Sequence, residues 1–83
     1  LGSSARSKRW ATVLTTEFER LRQAAYHGDE TLIDQYGATE PAEFFAVVTE
    51  TFFEKPKQLL REHPALFAEL KNYYRVDPGD WVS

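Results

Sequence analysis

The sequence predicts an all-α fold of about four helices, and two observations carry that prediction. Apolar residues recur at helical spacing over most of the 83 residues, and no alternating strand pattern of useful length interrupts them. The predicted helices are a long amphipathic helix, a buried central helix and a short pair at the carboxyl end. A chain this short makes at most one small domain, so residues 1–83 are assigned to a single helical segment.

The first helix is predicted from about Ser7 to His27. Its apolar residues follow one stripe of an α-helix: Trp10, Val13, Leu14, Phe18, Leu21 and Ala25. Four charged residues are expected to lie off that stripe: Glu17, Glu19, Arg20 and Arg22. Gly28 is a natural stop for this helix. Residues 1–7 are small and polar, and we expect them to form a flexible lead-in.

The central helix is predicted from about Glu40 to Phe53, with Thr39 as its amino-terminal cap. Residues 29–38 connect it to the first helix, and Leu32 and Ile33 are expected to pack against the core. Apolar side chains surround most of the central helix, which is typical of a buried helix.

The carboxyl-terminal helix pair is delimited by prolines. The residue before a proline disfavours the helical conformation, so each residue–proline pair predicts a break. Two such pairs divide this part of the chain, Lys55-Pro56 and His63-Pro64. The last helix is expected to end before residues 77–80, and residues 79–83 are expected to form a tail.

Composition excludes several classes of function. The net charge is −3 and the only basic cluster, Arg6 with Lys8 and Arg9, fits a solvated helix start, so no direct nucleic-acid binding is expected. No apolar run approaches the roughly 18 residues of a membrane span, and no signal-peptide pattern is present. The absence of cysteine excludes disulfides and thiolate metal sites, which fits the expected cytoplasmic location.

Tyr36 and Glu43 are the candidate site residues. Tyr36 precedes Gly37 in a predicted turn, and Glu43 follows seven residues later in the first turn of the central helix. A zinc peptidase needs a carboxylate as a metal ligand and a donor that reaches the oxyanion formed on the substrate. Two simpler interpretations stay open: Glu43 complements the helix dipole, and Tyr36 packs its ring with the hydroxyl in water. Glu50 lies on the same side of the helix as Glu43.

The chain contains no complete catalytic set. His27 and His63 are 36 residues apart, and neither has a second histidine four residues later, so the HExxH motif is absent. A zinc site made of His27, His63 and Glu43 is therefore not expected. The sequence indicates part of an active site, and the chain alone is expected to be inactive.

Several blocks of the sequence resemble the carboxyl-terminal part of the Mlc titration factor A family, which are bacterial cytoplasmic zinc-dependent peptidases. The blocks are residues 36–50, Phe52-Phe53, His63-Pro64-Ala65-Leu66 and residues 74–78. The Tyr-Gly…Glu-Phe-Phe-Ala core is also similar to the end of the catalytic domain of anthrax lethal factor. The resemblance implies that residues 1–83 are the carboxyl-terminal portion of a larger, zincin-type metallopeptidase domain.

This resemblance also implies roles for the two candidate residues. Glu43 would be the third zinc ligand, and Tyr36 would stabilise the tetrahedral intermediate. The two histidine ligands and the general-base glutamate of HExxH would lie upstream of Leu1. The full-length protein would then bind Zn²⁺ and cleave a peptide or protein substrate, whereas this chain alone would bind no metal.

A second interpretation is a non-catalytic helical module for protein interaction. The resembling family is associated with a glucose-responsive transcriptional repressor, so such a repressor is a candidate partner. Apolar faces left exposed on the helices would also favour a homo-oligomer.

Overall fold

The computed structural model describes residues 2–75, with side chains from residue 7 onward. Within this range the elements are α1 (Gly2–His27), a 3₁₀ turn (Gln35–Ala38), α2 (Pro41–Glu54), α3 (Pro56–Glu62) and α4 (Pro64–Tyr74). The described part of the chain has no strand, which confirms the all-α prediction with about four helices. None of its helices is long and apolar enough to cross a membrane. The expected tail over residues 79–83 lies outside the described residues.

Helix α1 begins at Gly2, earlier than the sequence analysis placed it. Residues 2–7 are therefore helical, in contrast to the expected flexible lead-in. The physical reason is that no proline or glycine follows Gly2 before Gly28, while Ala5, Arg6 and Lys8 favour helix. The helical conformation of α1 therefore extends back to Gly2 without a break.

The predicted stop of α1 at Gly28 is confirmed. Gly28 has a φ of 74°. Its N–H donates to the carbonyl of Ala25 at 3.2 Å, and the N–H of Asp29 donates to the carbonyl of Ala24 at 2.9 Å. These two hydrogen bonds form a Schellman motif, which needs a left-handed residue that glycine adopts without strain.

Helix α2 is the centre of the core, as predicted. Its buried residues are Phe44, Val47, Val48, Thr51 and Phe52. The other helices and the connection after α1 contribute to the same cluster Leu21, Ile33, Leu59, Leu66, Phe67 and Leu70. The burial of α2 is not complete, however, because Phe53 is 37% exposed. Ile33 is buried and Leu32 packs against the core, as expected for the connection after α1.

Helices α2, α3 and α4 are joined by single residues. The N–H of Lys55 donates to the carbonyl of Thr51 and so ends α2, while the carbonyl of Lys55 accepts the N–H of Leu59 and so begins α3. His63 does the same between α3 and α4. A proline follows each joint at the first helical position, where its missing N–H costs nothing.

Helix α1 packs against α4 through an ion pair and an aromatic cluster. The Nε of Arg9 lies 3.0 Å from a carboxylate oxygen of Glu69, whose side chain is only 8% exposed. The ring of Trp10 stacks on Tyr73 with centroids 4.9 Å apart. Phe45 of α2 meets both rings edge-on. We call Trp10, Phe45 and Tyr73 the aromatic cluster.

Candidate active-site segment

Tyr36 lies in the 3₁₀ turn, and its side chain is 60% exposed. The next residue, Gly37, is buried against α2. A Cβ atom added at Gly37 would lie 2.4 Å from the Cγ2 of Val47 and 3.2 Å from the Cα of Phe44. Carbon atoms at optimal contact are about 3.5–4.0 Å apart, so only glycine fits here. The turn therefore sits directly on the surface of α2 and presents Tyr36 outward.

Glu43 lies in the first turn of α2 and is half-buried. Its carboxylate is stabilised there by the positive end of the helix dipole. The predicted capping role of Thr39 is wrong, because Glu40 occupies the cap position and makes no side-chain capping bond. The hydroxyl of Thr39 instead donates to the carbonyl of Tyr36 at 2.8 Å. Thr39 therefore closes the turn before α2 and does not cap the helix.

The structure brings the segments that carry Tyr36 and Glu43 together. Gly37 follows Tyr36, and it packs on Phe44, which follows Glu43. Each candidate therefore lies one residue before a member of this contact. Glu50 is exposed two turns further along α2, where it lines a cleft together with Asp34 and Val47. Glu50 is not part of the contact between the turn and the start of α2.

Within the described residues, no group of three or more histidine, cysteine, aspartate or glutamate side chains could hold a metal ion. Glu43 can supply one carboxylate oxygen ligand. Catalytic zinc takes about three protein ligands and keeps one position for water or substrate. The described residues therefore supply one of the ligands that such a site needs, the carboxylate of Glu43.

Sequence reasoning missed a buried carboxylate–imidazole pair between α1 and the α3–α4 joint. The Nδ1 of His63 and the Oε1 of Glu17 are 2.8 Å apart, and the side chain of Glu17 is only 6% exposed. Arg20 contacts the other oxygen of Glu17 at 3.1 Å. The pair lines a cleft of about 240 Å³.

Glu17 was expected off the apolar stripe of α1, which is wrong. It lies three residues after Leu14 and four before Leu21, so the helical period places it on that stripe. A carboxylate inside an apolar stripe is the signal that would have found the pair. Burial by itself raises the pKa of Glu17, but the hydrogen bond and charge of His63, together with Arg20, hold this pKa below its ordinary value.

Comparison with known proteins identifies related sequences. The family model described as glucose-regulated metallo-peptidase M90 matches residues 1–75. An uncharacterised protein of Synechocystis sp. is 44% identical over 78 residues, which cover 94% of this chain and 28% of that protein. Mlc titration factor A of Edwardsiella ictaluri is 39% identical over 71 residues, or 83% of this chain and 27% of that protein. No solved structure matches the chain.

A third relative, Mlc titration factor A of Salmonella arizonae, is 48% identical over 47 residues, covering 57% of this chain and 19% of that protein. The chain spans less than a third of the length of these curated relatives. The family match covers nearly the whole sequence, including the turn with Tyr36 and the helix with Glu43. The chain belongs to the glucose-regulated metallo-peptidase M90 family.

Proposed function

We propose that this chain is the carboxyl-terminal fragment of a zinc-dependent metallopeptidase, in which Glu43 is the third zinc ligand and Tyr36 is the oxyanion donor. The observation that carries the proposal is the contact of the Tyr36 turn with the first turn of α2, where Glu43 lies. Membership of a metallo-peptidase family supplies the class of chemistry. The two histidine ligands and the general base would come from an HExxH motif outside these 83 residues, in the cytoplasmic full-length protein.

Each residue has a defined task in this proposal. Zinc, when bound, would polarise the scissile carbonyl and make its bound water more acidic. Glu43 offers a negatively charged oxygen from a helix turn that is fixed by the burial of Phe44. Tyr36 carries a phenol on an exposed side chain, which leaves its O–H free to donate to an oxyanion on the substrate. The isolated chain would hold a single ligand and would be inactive.

The test compares Glu43→Gln with Glu50→Gln in the full-length protein. Both substitutions remove one carboxylate charge from α2, but Glu50 is exposed two turns away. Zinc content is measured by mass spectrometry after dialysis against a weak chelator, and peptidase rate is measured on fluorescein-labelled casein. Glu43→Gln should lose zinc and activity together, since a neutral amide is a poor zinc ligand. Glu50→Gln should keep both.

Unchanged zinc content and rate in Glu43→Gln would overturn the assignment of the ligand. For Tyr36, the matching substitution is Tyr36→Phe, which removes only the hydroxyl. Removing one oxyanion donor costs about 10²–10³ in kcat in well-studied enzymes, and a loss of this order is expected here with zinc content unchanged.

A second candidate function, binding of a protein partner, is supported by the aromatic cluster. Tyr73 is 58% exposed although it stacks on Trp10. Exposed aromatic groups are typical of interaction sites. Two relatives are named Mlc titration factor A, so Mlc is the partner proposed for this surface, in the role of the transcriptional repressor that the family resemblance implies.

The binding test uses the full-length protein with purified Mlc as the probe, in the presence of a chelator. Tyr73→Ser should weaken capture, whereas Tyr26→Ser is the matched control because Tyr26 is 86% exposed on α1, with its ring against His27. Equal capture by both variants would exclude the aromatic cluster as the binding surface.

A further inference from the structure

The backbone of Tyr36 is held on both sides by neighbouring side chains. The N–H of Tyr36 donates to the Oδ1 of Asp34 at 2.9 Å. The carbonyl of Tyr36 accepts the N–H of Thr39 at 3.2 Å and the hydroxyl of Thr39 at 2.8 Å. Both polar groups of this one peptide residue are therefore fixed by short-range bonds.

Asp34 does more than accept one hydrogen bond. Its own carbonyl accepts the N–H of Gly37 at 3.0 Å, so Asp34 binds the two consecutive N–H groups of the turn. This arrangement is an Asx turn, in which an aspartate or asparagine side chain replaces a backbone acceptor. Just before it, buried Ile33 anchors the chain, with the hydroxyl of Thr31 donating to its carbonyl at 2.7 Å.

The floor of the turn is equally constrained. Gly37 rests on Val47 and on the backbone of Phe44 with no room for a Cβ atom. Leu21 of α1 closes the third side, since its Cδ2 would lie 3.4 Å from such a Cβ. The turn thus packs against α1 and α2 through Gly37, and its backbone is hydrogen-bonded by the side chains of Asp34 and Thr39. The side chain of Tyr36, in contrast, is exposed.

A fixed backbone matters because the phenol lies far from the Cα atom. The hydroxyl of tyrosine is about 6.5 Å from its Cα, so a rotation of about 10° at the backbone moves it by about 1 Å. A misplacement of 1 Å in an active site can reduce the rate by as much as about 10²-fold. The exposed ring of Tyr36 has few contacts of its own to correct such a rotation.

We propose that Asp34 is a positioning residue for Tyr36, and that Thr39 assists it by holding the peptide unit on the other side of the Tyr36 Cα atom. This inference rests on the proposed role of Tyr36 as oxyanion donor. Asp34 itself touches neither substrate nor metal in this proposal. It acts through the hydrogen bond from the N–H of Tyr36, which sets the direction in which the phenol leaves the turn.

The test uses three variants of the full-length protein, assayed on fluorescein-labelled casein. Asp34→Ala removes the acceptor and should lower kcat about tenfold, with KM and zinc content unchanged. Asp34→Asn keeps an Oδ1 acceptor and should stay within about twofold of the wild type. Thr39→Val removes the second bond with nearly the same shape and should give a smaller loss of kcat. It also provides the measurement if Asp34→Ala does not fold.

A double-mutant cycle separates positioning from general structural damage. In a Tyr36→Phe background there is no hydroxyl to position, so adding Asp34→Ala should cause no further loss of kcat. A purely structural role would lower the rate by the same factor in both backgrounds, which would overturn the inference. If Tyr36→Phe leaves kcat unchanged, the proposed function of Tyr36 fails instead.

Hydrogen exchange provides a readout that does not depend on activity. The amide proton of Tyr36 should exchange about tenfold faster in Asp34→Ala than in the wild type, while Asp34→Asn should retain its protection. Equal exchange in Asp34→Ala and the wild type would show that the side-chain bond does not hold this peptide unit, and the inference would be abandoned.

Discussion

Substitution of Gly37 by alanine tests the contact on which the candidate site depends. The added Cβ would lie 2.4 Å from the Cγ2 of Val47, more than 1 Å inside normal contact. Valine in a helix has one strongly preferred rotamer, so the methyl group cannot turn away cheaply. Such overpacking costs about 1–3 kcal/mol. The lower entropy of the unfolded alanine chain returns about 0.4–1 kcal/mol.

The expected net loss in Gly37→Ala is therefore about 1.3 kcal/mol, at the centre of a range from about 0 to 2.6 kcal/mol that the overpacking and unfolded-state terms define. With a urea dependence of about 1 kcal/mol/M for a small protein, the midpoint should fall by about 1.3 M. The assay is urea unfolding followed by far-UV circular dichroism, which reports directly on an all-helical chain. Tryptophan fluorescence, to which Trp10 and Trp81 both contribute, gives a second probe of the same transition.

The decisive comparison is with Val47→Ala, which removes the colliding methyl group. Val47→Ala alone should cost about 2 kcal/mol through lost burial and a small cavity. Adding Gly37→Ala to it should then cost much less than in the wild type, because only the 3.2 Å approach to the Cα of Phe44 remains. The expected coupling between the two sites is the relieved overpacking of about 1–3 kcal/mol. Gly28→Ala is the control: it is strained by its φ of 74° but has open space around it, so its cost should not depend on residue 47. Equal costs of Gly37→Ala in both backgrounds would refute the steric argument.

Two further predictions concern α1 and α4. Glu17→Gln should destabilise the chain by about 1.5–3 kcal/mol near pH 6, because it removes a charged acceptor from His63, whereas the exposed Glu19→Gln should change stability little. Since folding lowers the pKa of Glu17 from its ordinary 4.5, its contribution is complete above that pH and is lost as the pH falls through the folded value. Denaturation from pH 3 to 7 should show that the free energies of unfolding of the wild type and of Glu17→Gln converge in acid. A constant difference between them would contradict this. Sedimentation at high concentration should show that the chain self-associates through the aromatic cluster. Tyr73→Ser should reduce this association. A strictly monomeric wild type would refute the prediction of self-association.

The helices were predictable because their signals are local. The apolar period from Trp10 to Ala25 and the prolines at 56 and 64 each determine structure within a few residues. The pairing of Glu17 with His63 joins residues 46 positions apart, and only the packing of α1 against the α3–α4 joint creates it. The apolar stripe of α1 indicates that Glu17 is buried, but no local pattern identifies His63 as its partner.

In the candidate site too, local features were predictable from the sequence, whereas details that depend on the folded geometry were not. The nearness of Tyr36, Gly37 and Glu43 along the sequence predicted that they share one region, and the contact of Gly37 with α2 brings their segments together. The role of Thr39 was misassigned because a threonine before a proline-initiated helix usually caps that helix. Pro41 begins the helix, so Glu40 takes the cap position, and the hydroxyl of Thr39, one residue further back, donates to the carbonyl of Tyr36.

The single-residue joints at Lys55 and His63 determine where this protein can accept extra sequence. Each joint consists of one residue between two helices, and both the N–H and the carbonyl of that residue are used in helical hydrogen bonds. An inserted residue there would disrupt these hydrogen bonds and is expected to shift the following helix relative to the preceding one. An affinity tag or a fluorescent reporter should be better tolerated next to Glu30, which is exposed and lies in the connection between α1 and the 3₁₀ turn.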